Sequence, residues 1–301
     1  CALVVMETEL WPNTLAAARR QGLPVLLANA RLSERSARGY AKAGALTREM
    51  MQNLSIVAAQ DQAAASRFCA LGVPSARVVV TGSLKFDITI SVGQTALAQA
   101  WREQHALLGR PVWVAASTHP GEDEPVLAAH ALLRQHLPDA LLILVPRHPE
   151  RFQGVAELID ATGLRYARRS TQAPVQADTA VWLGDSMGEL MSWLALAQAA
   201  FVGGSLVPRG GHNALEPLAL GVPALTGPHD FNFASINAEL SAAGALQTVQ
   251  DAAALADALY ALLTDSELAQ ARREAGLRVI AANQGAVARQ LALLTPLLPP
   301  A

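Results

Sequence analysis

In the second half of this 301-residue sequence guanidinium, imidazole and carboxylate side chains and a set of glycines recur at one kind of position, immediately after short apolar runs. Ser117-Thr118-His119-Pro120-Gly121-Glu122 follows the run 112–116, Pro146-Arg147-His148-Pro149 follows 141–145, and Gly184-Asp185-Ser186-Met187-Gly188-Glu189 follows 181–183. The fourth stretch, FVGGSLVPRGGHNALEPLALGVPALTG (residues 201–227), reads as strand, glycine-rich loop carrying Gly210 and Gly211, helix over 214–220, and strand. Asn213 stands where an N-cap belongs, so free N–H groups and the positive end of the helix dipole face the loop, as at a phosphate site. The other reading is a capping box, Asn213 with Glu216 three residues on, with Pro217 harmless in the first turn. Arg147 offers a permanent cation whose fork of donors matches a phosphate; its alternative is an ion pair with Glu150 or Asp185. Gly188 lets a flat base approach the backbone beside Met187, whereas Ser186 and Glu189 have capping-box spacing of their own. His119, His148 and His212 could donate to phosphate, but their spacing gives no zinc site and no metal is assigned.

The first half has one comparable cluster, METELWPN (residues 6–13). Glu7 and Glu9 beside Trp11 suit acid–base work or a grip on a sugar, or else form a plain acidic turn at a helix start. Arg19, Arg20, Arg31, Arg35, Arg38, Lys42 and Arg48 are accompanied by a single acid, Glu34, between residues 19 and 48. This local excess faces either an anionic lipid surface or only solvent.

To place these loops on one edge, the apolar runs must be parallel strands separated by helices. Runs at 3–6, 25–28, 56–59 and 77–81 alternate with helices at 13–21, 35–52 and 62–71. After a break near 87–93 and a helix at 94–108, a fuller series follows: strands at 112–116, 141–145, 164–167, 181–183, 199–202, 224–226 and 246–249. Such alternation means βαβ units and doubly wound α/β layers, which bind ligands beyond the carboxyl ends of their strands. Residues 1–92 are expected to form one domain and 93–301 the second, the last helix, 286–294, crossing back before Pro296 and Pro299-Pro300.

Composition agrees. Hydrophobic residues make up 51% and aromatics only 5%, as covering helices and buried parallel strands require. With 23 Lys and Arg against 25 Asp and Glu there is no electrostatic footprint for nucleic acid. Cys1 and Cys69 form no disulfide framework, which fits a reducing compartment. No apolar stretch reaches the ~18 residues of a spanning helix, so the chain reads as soluble or peripheral. It opens inside a strand at Cys1 without an initiator Met, and is expected to be an N-terminally truncated piece.

METELWPN (6–13), NARLSERS (29–36), TGSLKFD (81–87), STHPGE (117–122), VPRHPERF (145–152), GDSMGEL (184–190), FVGGSLVPRGGHNALEP (201–217) and GPHDFNF (227–233) together resemble the bacterial 3-deoxy-D-manno-octulosonic acid (Kdo) transferases over nearly the whole chain. The resemblance implies a GT-B glycosyltransferase of two Rossmann-like domains, the first incomplete here. It implies transfer of Kdo from CMP-Kdo to a lipid A precursor in lipopolysaccharide inner-core synthesis, with inversion and without metal or cofactor, by a protein peripheral to the cytoplasmic side of the inner membrane. Arg147 and His148 would hold the CMP phosphate side, Met187 and Gly188 border the cytosine, Gly210 and Gly211 shape the donor loop, Asn213 assist the phosphate and Glu216 take the ribose hydroxyls. Glu7, Glu9, Trp11 and Lys85 would line the acceptor side. The family's general base is expected ahead of Cys1, so no catalytic residue is placed in this chain, which is expected to bind nucleotide without transferring sugar. The rival readings are another GT-B nucleotide-sugar transferase or epimerase, or a non-catalytic nucleotide-binding fragment.

Overall fold

A computed structural model describes residues 1–298; Pro299 and Pro300, expected beyond the last helix, lie outside the described residues. The chain divides into two compact units, one of Cys1–Asp87 with the residues from Ala282 onward, the other Ile88–Ala281. The division falls at Asp87, a few residues before the expected 92/93, because Ser91 and Gln94 close a capping box that starts the next helix at Val92.

The first unit holds a four-stranded parallel sheet in sequence order: β1 (Leu3–Met6), β2 (Val25–Ala30), β3 (Ile56–Ala59) and β4 (Val78–Val80). Alternation sends Val25, Leu27 and Val57 to one core with Leu15, Met51 and Phe68, and Leu26, Ala28 and Ala58 to the other face. That second face is covered by Leu293, Leu294 and Leu297 from the chain's last turns. Polar bonds hold the returning helix, Ala286–Leu294, in place. Asp87 accepts from the Gly285 and Val287 amides at 2.6 Å each, filling the donors that a helix start leaves open. Gln290, buried at the same helix, accepts from the Asn29 amide at 3.0 Å and donates to Thr81 Oγ1 at 3.2 Å. Asn29, in the left-handed region at φ 50°, also accepts from the Leu84 amide.

The second unit holds a seven-stranded, wholly parallel sheet: β5 (Val112–Thr118), β6 (Leu141–Pro146), β7 (Tyr166–Arg168), β8 (Val181–Leu183), β9 (Ala199–Val202), β10 (Ala224–Thr226) and β11 (Leu246–Thr248), in the order β11-β10-β9-β5-β6-β8-β7. Connections run one way from β5 and the other way from β9, so the topological switch point lies between those two strands. Trp113, Ala115, Leu142 and Leu144 join a core with the helices Asp123–Arg134, Phe152–Thr162 and Ala252–Thr264. Their neighbours Val112, Val114, Leu141 and Ile143 join the opposite core with Trp101, Trp182 and Trp193. Burial on both faces is why these strands show as unbroken apolar runs.

Several expected elements differ. The helix over 35–52 is two, Glu34–Lys42 and Gly44–Gln52, because Gly44 takes φ 48°. The helix over 94–108 is Val92–Gln104, and the strand over 164–167 is shifted to Tyr166–Arg168.

In the first core of the second unit His130 is fully buried; its Nδ1 accepts from Trp113 Nε1 at 3.1 Å, so its Nε2–H donates to the Ala180 carbonyl at 2.8 Å. Burial pushes this imidazole down from 6.5 to about 3. The unfolded chain therefore binds a proton below pH 6.5 that the folded one refuses until about pH 3. His130 should lower stability by about 1.4 kcal/mol per pH unit across that window, or roughly 2 kcal/mol by pH 5. Urea unfolding at pH 7 and pH 5 checks this, with a His130→Asn background expected to show a shallower slope.

Candidate nucleotide-sugar site at the switch point of the second sheet

Parallel strands bring the loops after β9, β5, β6 and β8 side by side along one edge, in that order. The approach of β5 and β9 is close. A Cβ at Gly203 would stand 2.7 Å from the Ser117 carbonyl oxygen, so no larger residue fits there. Ser117 itself takes φ 58°.

A protein carboxylate already fills the nest formed by the first amides of the glycine-rich loop. Glu122 is fully buried. Its Oε2 accepts from the amides of Gly204 at 2.6 Å and His119 at 2.9 Å, and its Oε1 from those of Ser205 and Leu206 at 2.9 Å each. Neighbouring groups brace the same corner. Thr118 Oγ1 donates to Asp123 at 2.7 Å, Arg151 pairs with Asp123 and donates to the Thr118 carbonyl at 2.6 Å, and the Arg147 amide reaches the same carbonyl at 3.0 Å. Glu122, Asp123 and Arg151 were not singled out in the sequence. Their only visible signal was a carboxylate three residues after a histidine in a strand-to-helix loop.

The open donors lie further along. Gly211 donates to the Gly204 carbonyl at 2.8 Å, and the Gly210 carbonyl accepts from Asn232 at 3.0 Å, which folds the loop over. Gly210 and Gly211 hold φ 95° and 74°, and a Cβ on Gly210 would meet Phe231 at 2.6 Å. Beyond them the amides of His212, Asn213 and Ala214 form no hydrogen bond among the described residues. The helix that follows is Leu215–Ala219, shorter than expected, with Ala214 as its cap residue. Asn213 still serves it, accepting from the Leu215 amide at 3.2 Å, but no capping box forms with Glu216.

Glu216 is half-buried and enters no salt bridge among the described residues. Burial raises its carboxyl above the usual range, while hydrogen bonding from Asn213 and the charge of Arg147 pull it back. Arg147 is exposed and makes no ion pair among the described residues. The alternative of a pair with Asp185 is excluded, since that carboxylate is buried and taken by Arg168 at 2.8 Å and by Ser170. Rings gather around the same point: His119 and His212 are stacked, with Nε2 atoms 2.8 Å apart, and His148 meets His119 edge-on at 5.3 Å. After β8, Met187 is exposed and Gly188 takes φ 80° facing open space. The expected Ser186–Glu189 capping box is replaced by side-chain bonds, Ser186 donating to Glu189, which pairs with Arg169 at 2.9 Å.

In the first unit, Glu7 pairs with Arg31 at 2.8 Å, and both charges act on Lys85, whose ammonium is pushed down mainly by burial. Trp11, exposed, donates to Glu9 at 3.0 Å. Arg31 was read only as part of the basic excess. Among the described residues no group of three or more His, Cys, Asp or Glu side chains is arranged to hold a metal.

With this geometry the comparisons with known proteins agree. The family model described as 3-deoxy-D-manno-octulosonic-acid transferase (kdotransferase) matches residues 1–88. The 3-deoxy-D-manno-octulosonic acid transferase of Haemophilus influenzae is 44% identical over 300 residues, 98% of this chain and 69% of that protein. That of Bordetella pertussis is 40% identical over 295 residues, 97% of this chain and 68% of that protein. The crystal structure of the C-terminal CMP-Kdo binding domain of WaaA from Acinetobacter baumannii superposes with a TM-score of 0.61 at 39% identity, covering 63% of this chain and 99% of that one. UDP-GlcNAc 2-epimerase from Neisseria meningitidis, at 15% identity and a TM-score of 0.59 over 93% of this chain and 74% of that one, shares the fold. Two α/β units of this kind give the chain a GT-B fold. More narrowly, the chain belongs to the Kdo transferase family.

Because Glu122 joins two loops with a charged acceptor, Glu122→Gln turns an amide group toward two of the backbone donors whichever way it is placed. Unfolding in urea should show a loss of about 3 kcal/mol or more. A loss below about 1 kcal/mol would show that the corner is held by other contacts.

Proposed function

We propose that the second unit holds CMP-Kdo and that the protein transfers Kdo to a lipid A precursor, with inversion at the sugar carbon and without metal or cofactor. The observation that carries this reading is the half-buried carboxylate of Glu216 standing within the field of the exposed Arg147, neither in an ion pair among the described residues, next to the open amides of His212, Asn213 and Ala214. A carboxylate that has lost water but gained no ion pair is suited to ribose hydroxyls, each of which gives it a charge-assisted hydrogen bond. A guanidinium and open amides a short way off suit the phosphate that joins ribose to sugar. Met187 and the open space at Gly188 would border the base.

In the transfer a general base takes the proton of an acceptor hydroxyl, whose oxygen attacks the anomeric carbon as the bond from that carbon to the phosphate oxygen breaks. Its electron pair leaves with CMP. Arg147 and the amides at 212–214 would meet that growing charge, an interaction stronger at the transition state than before it. The Glu7–Arg31–Lys85 cluster and the Glu9–Trp11 pair, at the carboxyl ends of strands in the first unit, would serve the acceptor. No helix among the described residues is long and apolar enough to cross a membrane. The reading places the lipid acceptor at the cytoplasmic side of the inner membrane, met by peripheral contact.

CMP should raise the melting temperature in proportion to the logarithm of its concentration above its dissociation constant, and UMP should do so less. Equal stabilisation by both would favour a UDP-sugar enzyme of the same fold. Glu216→Gln should weaken CMP binding roughly tenfold or more, by loss of a charged acceptor, while changing stability by less than about 1 kcal/mol. Titration calorimetry and urea unfolding of the same variant separate the two effects, and early melting with normal CMP affinity would contradict a ribose role.

A further inference from the structure

His119 and His212 come from loops 93 residues apart and meet Nε2 to Nε2 at 2.8 Å, with ring planes 10° apart. The contact is built into the fold. A Cβ on Gly204 would lie 3.0 Å from His212 Cδ2 and 3.4 Å from His119 Cδ2, so glycine there lets both rings lie against the backbone. Glu122 fixes the other side by accepting from the His119 amide. With both Nε2 atoms facing one another, one ring must donate and the other accept. The donating ring then has a bare Nδ1 and the accepting ring an Nδ1–H. Neither Nδ1 has a partner among the described residues. One added proton at the bare Nδ1 leaves the 2.8 Å bond intact and gives the pair a single positive charge with two outward donors.

The surroundings oppose that proton while the site is empty. Burial, and after it the neighbouring His119, Arg147 and His148, hold the His212 imidazole down at about 4. His148, Arg151 and Arg209 act on His119 in the same sense, Glu122 in the opposite one, and burial outweighs Glu122. A phosphate placed against Arg147 supplies the negative charge that this cluster lacks.

We propose that the His119–His212 pair is a proton-holding element of the donor site, taking up one proton from solvent when a nucleotide phosphate docks and presenting that charge to the phosphate oxygens. The inference rests on the nucleotide reading of the site. In transfer, the electron pair of the broken carbon–oxygen bond stays on the phosphate, which gains a negative charge, and the proton stays on the pair as its counter-charge. The pair thus adds to Arg147 a cation that exists only when phosphate is present.

Titration calorimetry of the whole chain with CMP at pH 6, in two buffers of different ionisation enthalpy and with the proton linkage of CMP's own phosphate subtracted, tests this. The observed enthalpy should change between buffers by the amount that uptake of roughly one proton requires. His212→Gln and His119→Gln should each abolish that buffer dependence, and each should weaken CMP binding several-fold. Binding by the unaltered protein with no buffer dependence overturns the inference and leaves the nucleotide reading standing. Retention of full proton uptake in a folded variant overturns it too, by placing the proton elsewhere. CMP that does not bind the unaltered protein overturns both.

Discussion

The buried carboxylate of Glu122 is the interaction on which the second unit's working edge depends. An ionised group removed from water is tolerated only where hydrogen bonds replace its hydration, and four backbone amides from two loops do so here. Two of the loops' backbones must then converge where β5 and β9 part, which explains glycine at 203 and 204 and the positive φ of Ser117. The corner behaves as a built anion site whose anion belongs to the protein.

Everything around it follows from that occupancy. Since the nest at 204–206 is filled, the open amides are those further along at 212–214, and Arg147 and Glu216, which form no ion pair among the described residues, stand beside them. The histidine stack rests on Gly204, one of the residues that Glu122 holds. In the first unit Asp87 plays a related part, with its carboxylate taking the amides at the start of the returning helix. Both units thus use a carboxylate on backbone amides to join segments distant in sequence.

That distance explains what could and could not be read from the residues alone. Ten of the strands lay close to their expected positions because parallel strands, most of them buried on both faces, appear as apolar runs bounded by Gly, Pro and polar residues. β7 slipped because it is three residues long with Tyr166 and Arg168 half out of the core. The break at Gly44 was hidden within a pattern that continues as helix on both sides. Arg147, Asn213 and Glu216 could be picked out because their residue types and loop positions are local signals. Glu122 could not, since three of its four partners lie 82–84 residues away and a single long-range side chain leaves no periodicity. The same holds for the contact between His119 and His212, and for the choice of Glu189 to pair with Arg169 in place of a helix cap.

A crystal structure of the protein with CMP bound tests most directly the claim that the phosphate site lies beyond the filled nest. The phosphate is expected against Arg147 and the amides of residues 212–214, the ribose hydroxyls on Glu216 and the cytosine beside Met187-Gly188, with Glu122 still bonded to Gly204, Ser205 and Leu206. A phosphate seated on the 204–206 amides with Glu122 displaced, or a nucleotide that leaves Glu216 untouched, would contradict it.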